Sequence, residues 1–207
     1  MLKQLYREWR RKRGFNKLRD QEFAFLFDED QSGEVIVFDT ETTGLNPKKD
    51  DIISIGAVKI KDNKILVSQT FELFIYNEEI SKKSIEVHGI RPIDVQNGRN
   101  SEEAIKEFLY FIGSRPLVGY YLEFDIAMIN KYVKPMLGIT LPNEAIEVSE
   151  IYFNQKIERI PQANIDLRFD TILNDCNVPE MGLHNAVNDA IMTAMIYLKL
   201  TKQERSK

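Results

Sequence analysis

The chain has 207 residues, 43% of them hydrophobic and 29% charged, which suits one soluble globular domain with a full core and leaves little length for a second. A formal net charge of −4 excludes a protein that binds duplex nucleic acid mainly through a broad positive surface, but not one that takes nucleic acid as substrate. The single cysteine, Cys176, has no disulfide partner and no zinc-like spacing around it, and no stretch has the apolar run of a signal peptide or a bilayer span; the expectation is a cytoplasmic protein without membrane association.

In chain order, residues 1–19 are rich in Lys and Arg, and Leu2, Leu5, Tyr6 and Trp9 fall at helical spacing. This predicts an amphipathic helix with a basic flank, either packed on the body with its charges in solvent or in contact with nucleic acid or a partner. Phe23, Phe25 and Phe27 read as a latch onto the domain, and Asp28 to Gly33 as the loop into the first strand. Val35 to Phe38 is short, apolar and β-branched, the pattern of a strand buried on both faces, and Thr42-Thr43-Gly44 ends it as a turn. Two more strands, Asp51 to Ile60 and Lys64 to Tyr76, are joined by a hairpin turn at Lys61-Asp62-Asn63, giving a three-stranded antiparallel meander.

Ser101 opens a helix with Ile105, Phe108, Leu109 and Ile112 on one side. Pro116 to Tyr121 is strand-like, Phe124 to Val133 helical, and Ala145 to Val148 a last short strand. Asp166 caps a helix running to about Asp175, and Asn185 to Leu200 is a long helix with Ala186, Ala190, Ala194, Met195 and Leu198 facing inward. A meander followed by alternating helices and strands predicts an α/β domain of three layers, α/β/α, around a mixed five-stranded sheet. The division expected is a basic N-terminal helical extension over 1–32, the main domain over 33–200 and a polar tail over 201–207.

Asp39 and Glu41 are two residues apart at the end of the first strand and so share a face. Such a pair is costly to desolvate unless a cation or a solvated cleft offsets the repulsion, so the two are either a metal site or solvated acids entering a loop. A hard divalent cation needs further oxygen ligands. Asp125 stands where the strand at Pro116–Tyr121 turns into a helix, either aimed at the sheet edge or simply favouring the positive end of the helix dipole. Asp189 shares a helix face with Ala186 and Thr193, flanked by Ala190, a side pressed against the sheet. His184 lies at the junction before that helix, as a structural residue or, beside metal-binding acids, as a base for a bound water.

The order Asp39-x-Glu41, Asp125, then His184 and Asp189 resembles the DEDDh 3′→5′ exonucleases, which include proofreading epsilon-type subunits of bacterial DNA polymerase III, ribonuclease T and oligoribonuclease. Phe38-Asp39-Thr40-Glu41-Thr42-Thr43-Gly44-Leu45 carries the resemblance most closely, and it runs from about Glu34 to Leu200. It implies an RNase H-like fold in which Asp39, Glu41, Asp125 and Asp189 hold two Mg²⁺ or Mn²⁺ ions and His184 is the general base. It also implies that Thr40, Thr42, Gly44 and Leu45 line the slot for the terminal nucleotide, with Leu45 wedged against its base, and that His88, in Val87-His88-Gly89-Ile90, contacts it.

Two positions depart from the family. Tyr120 and Tyr121 replace the usual His-Asn pair before Asp125, and Ser149 and Glu150 stand where an Asp-Thr pair often follows the last strand. The activity implied is hydrolysis of single-stranded or frayed DNA from the 3′ end to nucleoside 5′-monophosphates, in proofreading or repair, with a DNA polymerase or repair complex as partner. An exoribonuclease that trims RNA ends, and a silent nucleic-acid-binding module, remain as other readings.

Overall fold

The computed structural model describes residues 11–159 and 164–204. Most of the amphipathic helix expected over residues 1–19, and residues 205–207 of the tail, therefore lie outside the described residues. Residues 11–15 are helical, and a 3-10 segment follows at Gln21–Phe27, where the Asp20 carboxylate accepts from the Glu22 N–H. Phe23 is fully buried, and Phe23 and Phe25 each lie 5.4 Å from the ring of Tyr110. Phe27 turns the other way and meets Phe15 edge-on at 5.6 Å. The aromatic cluster is thus a latch, with Phe23 and Phe25 both on Tyr110 and Phe27 on Phe15.

The sheet is built from β1 (Glu34–Thr42), β2 (Ile52–Lys61), β3 (Lys64–Ile65), β4 (Phe71–Phe74), β5 (Leu117–Gly119) and β6 (Ala145–Glu147). β2 pairs antiparallel with β1, β3 and β4, whereas β5 and β6 add in parallel on the other side of β1. The hairpin turn between β2 and β3 holds Asp62 and Asn63 at φ 51° and 59°, the left-handed pair that a two-residue turn needs. The sheet is mixed as expected but has six strands rather than five. The span Lys64 to Tyr76 is not one strand: Ile65 pairs with Ile60 and Phe71 with Ala57, so the third segment has more residues than β2 offers partners. The excess loops out as a 3-10 turn at Val67–Gln69.

Seven helices complete the described fold: α1 (Lys82–His88), α2 (Pro92–Val95), α3 (Ser101–Ile112), α4 (Leu122–Leu137), α5 (Val148–Arg159), α6 (Phe169–Asp175) and α7 (Ala186–Glu204). Asn100, not Ser101, caps α3, accepting from the Glu103 N–H. Arg168 rather than Asp166 precedes the first turn of α6; Asp166 is held two residues earlier, accepting from the Arg168 backbone and guanidinium. The last strand stops at Glu147, and Val148 already begins α5.

Side-chain alternation along β1 sorts the layers. Ile36 and Phe38 face α3 and α4, with Phe108 and Leu117 in the same cluster, while Val37 faces α5, α6 and α7, with Val118, Tyr152 and Ile196. α4 is fixed at both ends: the Leu122 N–H donates to Glu147, and at the far end the Arg19 N–H and guanidinium donate to the carbonyls of Leu137 and Pro135. Among the described residues no helix is long and apolar enough to cross a membrane.

Candidate active site

β1 is paired with β2 through Thr42, but on its other side β5 runs alongside only Ile36 and Val37. β5 ends at Gly119 and the chain turns at once into α4, which leaves the last residues of β1 uncovered on that side. A crevice at the carboxyl ends of parallel strands is where open α/β sheets place their ligands. The first turn of α4 fills it with Asp125, whose Oδ1 accepts from the Thr40 N–H at 3.0 Å and from the Thr40 hydroxyl at 2.5 Å. Asp125 is buried, and so is Thr40. Both polar groups of Thr40 are taken by Asp125, which makes it a support for that acid.

The strand alternation that puts Phe38 and Thr40 toward α4 puts Val37, Asp39 and Glu41 toward α7. Asp189, one turn into α7, meets them there: Asp39, Glu41 and Asp189 each offer a carboxylate oxygen, and these atoms lie within 4.8 Å of one another. The approach depends on Gly56, the cross-strand partner of Asp39. A Cβ at Gly56 would stand 2.3 Å from the Ala186 carbonyl carbon and from the Val187 nitrogen, so only glycine lets the start of α7 rest on β2. Ala186, Ala190 and Thr193 are buried along the same face. Sequence reasoning passed over Gly56, although a lone glycine inside a strand is the usual mark of a close backbone approach.

The acids disturb one another. Burial first, then the charges of Asp125, Glu41 and Asp189, pushes Asp39 well above the usual carboxylate range. Burial and the neighbouring Asp189 and Asp125 raise Glu41 to about 8. Asp125 rises to about 7 because burial outweighs its two bonds from Thr40, and Asp189 rises to about 6 because burial outweighs the His184 N–H and the His184 charge. The Asp189 Oδ2 accepts that N–H at 3.0 Å, whereas its Oδ1 is buried without a hydrogen-bond partner. Asp39, Glu41 and Asp189, the last with an orphaned oxygen, fit the donor set of a hard divalent cation; Asp125 lies outside that group of three, bound to Thr40, and is near enough for its charge to act on Asp39 and Glu41.

His184 is exposed at the entry to α7, at φ 60°. His88 closes α1 nearby: burial, then the His184 charge, pushes its imidazole down. Its Nδ1 accepts from the Ile90 N–H at 3.0 Å, and its Nε2 is buried without a partner. Beyond Thr42, whose hydroxyl donates to the Gly44 carbonyl at 2.7 Å, the chain forms a loop anchored by Thr43 and Asp51 to each other and by Lys131 to Asp50 and Asp51. A Cβ at Gly44 would collide with the Asp50 carboxylate at 2.6 Å. Leu45, at the tip, is 85% exposed.

At the end of β6 the acid whose charge acts on Asp125 is Glu147, rather than a residue of the Ser149-Glu150 pair. Its charge adds to the burden on Asp125, and its two oxygens accept from the Leu122 N–H and from the N–H and hydroxyl of Ser149, so one carboxylate caps α4 and α5 together. Its position, an acid closing the third parallel strand, is the signal that could have identified it. Tyr120 and Tyr121 part company: the Tyr120 ring packs 4.8 Å from Phe169, while Tyr121 is 71% exposed.

Residues 36–197 match a family model described as exonuclease, that of the RNase T type. The chain is 35% identical over 172 residues to a PolC-type DNA polymerase III of Caldanaerobacter subterraneus, covering 83% of this chain and 12% of that protein. It is 26% identical over 176 residues to the DNA polymerase III subunit epsilon of Aquifex aeolicus, covering 83% of this chain and 82% of the subunit. The chain thus spans about 12% of the PolC-type relatives it matches. Among solved structures, cell-death related nuclease 4 superposes with a TM-score of 0.70 at 15% identity over 83% of this chain and 64% of that one. E. coli exonuclease I in complex with a dT13 oligonucleotide gives 0.67 at 15% identity over 84% and 42%. The RNase H-like fold and the family match agree, and the chain belongs to the DnaQ-like 3′→5′ exonuclease family.

Proposed function

We propose that the chain is a metal-dependent 3′→5′ exonuclease that removes nucleoside 5′-monophosphates from single-stranded or frayed DNA ends, in proofreading or repair. The observation that carries this reading is the meeting of Asp39, Glu41 and Asp189, with carboxylate oxygens within 4.8 Å of one another against their mutual repulsion, beside Asp125, whose charge acts on Asp39 and Glu41. DNA as the substrate is supported by the relatives' names, which are DNA polymerase III proteins, and by the neighbour bound to dT13.

Asp39, Glu41, Asp125 and Asp189 would hold two Mg²⁺ or Mn²⁺ ions, which when bound supply an acidified water and neutralise charge on the phosphate. The chain's own groups divide the remaining work. Thr40 favours the charged form of Asp125 against the cost of its burial and fixes its direction through two hydrogen bonds. His184, exposed and anchored by its backbone to Asp189, receives the proton of the attacking water on its imidazole. Thr42 and Gly44 shape the floor of the nucleotide slot, and Leu45 presses against a base. Because the His88 Nδ1 accepts the Ile90 N–H, a neutral His88 carries its proton on Nε2, a donor without a partner in the fold and so the one His88 could offer to the terminal nucleotide. A polymerase or repair complex as partner rests on the relatives alone.

The test is incubation of 3′- and 5′-labelled single strands of DNA and RNA with Mg²⁺, Mn²⁺ or EDTA. The expected result is mononucleotide release from the DNA 3′ end, abolished by EDTA and by Asp39→Ala. Internal cuts, release that survives EDTA, or a preference for RNA would overturn the reading.

A further inference from the structure

The turn from β5 into α4 presents an aromatic ring that the acid cluster does not use. Tyr121 sits at φ 54° and ψ 34°, left-handed backbone that is costly for a bulky side chain. Two adjacent tyrosines meet opposite fates here. Tyr120 is absorbed by the fold, its hydroxyl donating to the Leu167 carbonyl at 3.0 Å and its ring packed on Phe169. The strained turn swings Tyr121 outward, where it is 71% exposed and lies nearly parallel to Phe124, 6.5 Å between centroids and 17° between planes. Tyr121 directly precedes the helical turn that carries Asp125, so the exposed ring belongs to the turn that borders the crevice on the β5 side. On the β2 side stands Leu45, the most exposed large hydrophobic residue among those described. The two chain segments that flank the end of β1, the turn from β5 into α4 and the loop from β1 to β2, thus each offer an apolar side chain to solvent.

Strain and exposure together are a cost that a planar apolar ligand would offset. A protein seated on this ring would cover the acids four residues away, whereas a nucleobase of the strand entering them would not. We propose that Tyr121 is a stacking platform for a base flanking the scissile phosphate, an inference that rests on the exonuclease reading above. Stacking on an aromatic face tolerates any base, so the platform contributes affinity and placement rather than sequence preference.

The experiment compares the full chain with Tyr121→Phe, Tyr121→Asn and Tyr121→Ala. Each binds a short oligothymidylate carrying 2-aminopurine at the terminal or the penultimate position, in Ca²⁺, followed by anisotropy and by quenching of the probe. Tyr121→Phe should keep the affinity and the quenching. Tyr121→Asn, whose side chain tolerates left-handed backbone, should melt no lower than the parent yet bind about tenfold more weakly and lose the quenching at one of the two positions. In turnover the same factor should appear in KM, with kcat held within about twofold. Removing the base at that position should weaken the parent and leave Tyr121→Asn unchanged. Equal affinity of parent and Tyr121→Asn, or equal sensitivity of both to an abasic site, overturns the platform while leaving hydrolysis standing. Absence of hydrolysis on every substrate overturns the exonuclease reading, and the binding comparison still decides for Tyr121.

Discussion

Replacing Gly56 by alanine adds one methyl group on the strand next to Asp39, and its consequence can be worked from the packing. The new Cβ would lie 2.3 Å from backbone atoms of Ala186 and Val187, against about 3.5 Å for an ordinary carbon contact, so the start of α7 must recede by about 1 Å. Backbone cannot step aside as a flexible side chain can. Overpacking of this kind costs about 1–3 kcal/mol, which for a domain of this size is a loss of roughly 2–12 °C in Tm. Asp189 lies within the first turns of the displaced helix, and a misplacement of about 1 Å at a reacting centre lowers turnover about a hundredfold. The assay pairs a melting curve in EDTA with turnover at saturating Mg²⁺ and the Mg²⁺ concentration for half-activity, which should rise. Gly33→Ala is the control, because that position has φ +64° but nothing within 4 Å of the added Cβ; it should lose about 1 kcal/mol of stability and none of the turnover. A Gly56→Ala protein with the parent's Tm and turnover would refute the claim that this contact positions the site.

Three further outcomes are expected. Glu41 titrates at about 8 in the fold against an ordinary 4.5, so its charged form is penalised by at most about 5 kcal/mol; metal-free stability is full below pH 4.5 and is lost as pH rises through 8. Metal-free Glu41→Gln should therefore melt above the parent at pH 9 but not at pH 5, and an equal Tm at pH 9 would deny the repulsion. Thr40→Val removes one of the two donors to Asp125, so the acid limb of the pH–rate profile should move to higher pH; an unmoved limb would show that the hydroxyl does not hold the charged form. His184→Ala should lower kcat about 10²–10⁴-fold while the Mg²⁺ midpoint stays within about twofold, and an unchanged kcat with an unchanged pH profile would remove the general base.

Strand β1, its pair Asp39 and Glu41, and the order of the layers could be read directly, because a buried strand must be apolar and this pair sits where its pattern breaks; Asp125 and Asp189, on helices α4 and α7, were tied to the pair only by the order of the family motif. Helix α5 could not. Its buried positions include Val148 and Tyr152 but also Gln155, whose amide donates to the Leu200 carbonyl, so its inner face does not read as an apolar stripe. Gly56 was opaque for a different reason: the backbone it must clear is at Ala186, and no local pattern links the two. Asp166 misled because its preference for nearby backbone N–H groups is satisfied as readily in a loop as at a cap, and here Arg168 competes for it. Glu147 was hidden by the assumption that the strand ran on to Val148.

The two-ended fixation of α4 has a mechanical consequence. With 16 residues it is a rod of about 24 Å, pinned at one end through Glu147 and at the other by Arg19, from the stretch that leads into the domain. A rod held this way resists bending and passes on twist. The entry segment and the open strand end are thus joined by one continuous element, which carries Asp125 on its first turn and meets Arg19 at its last.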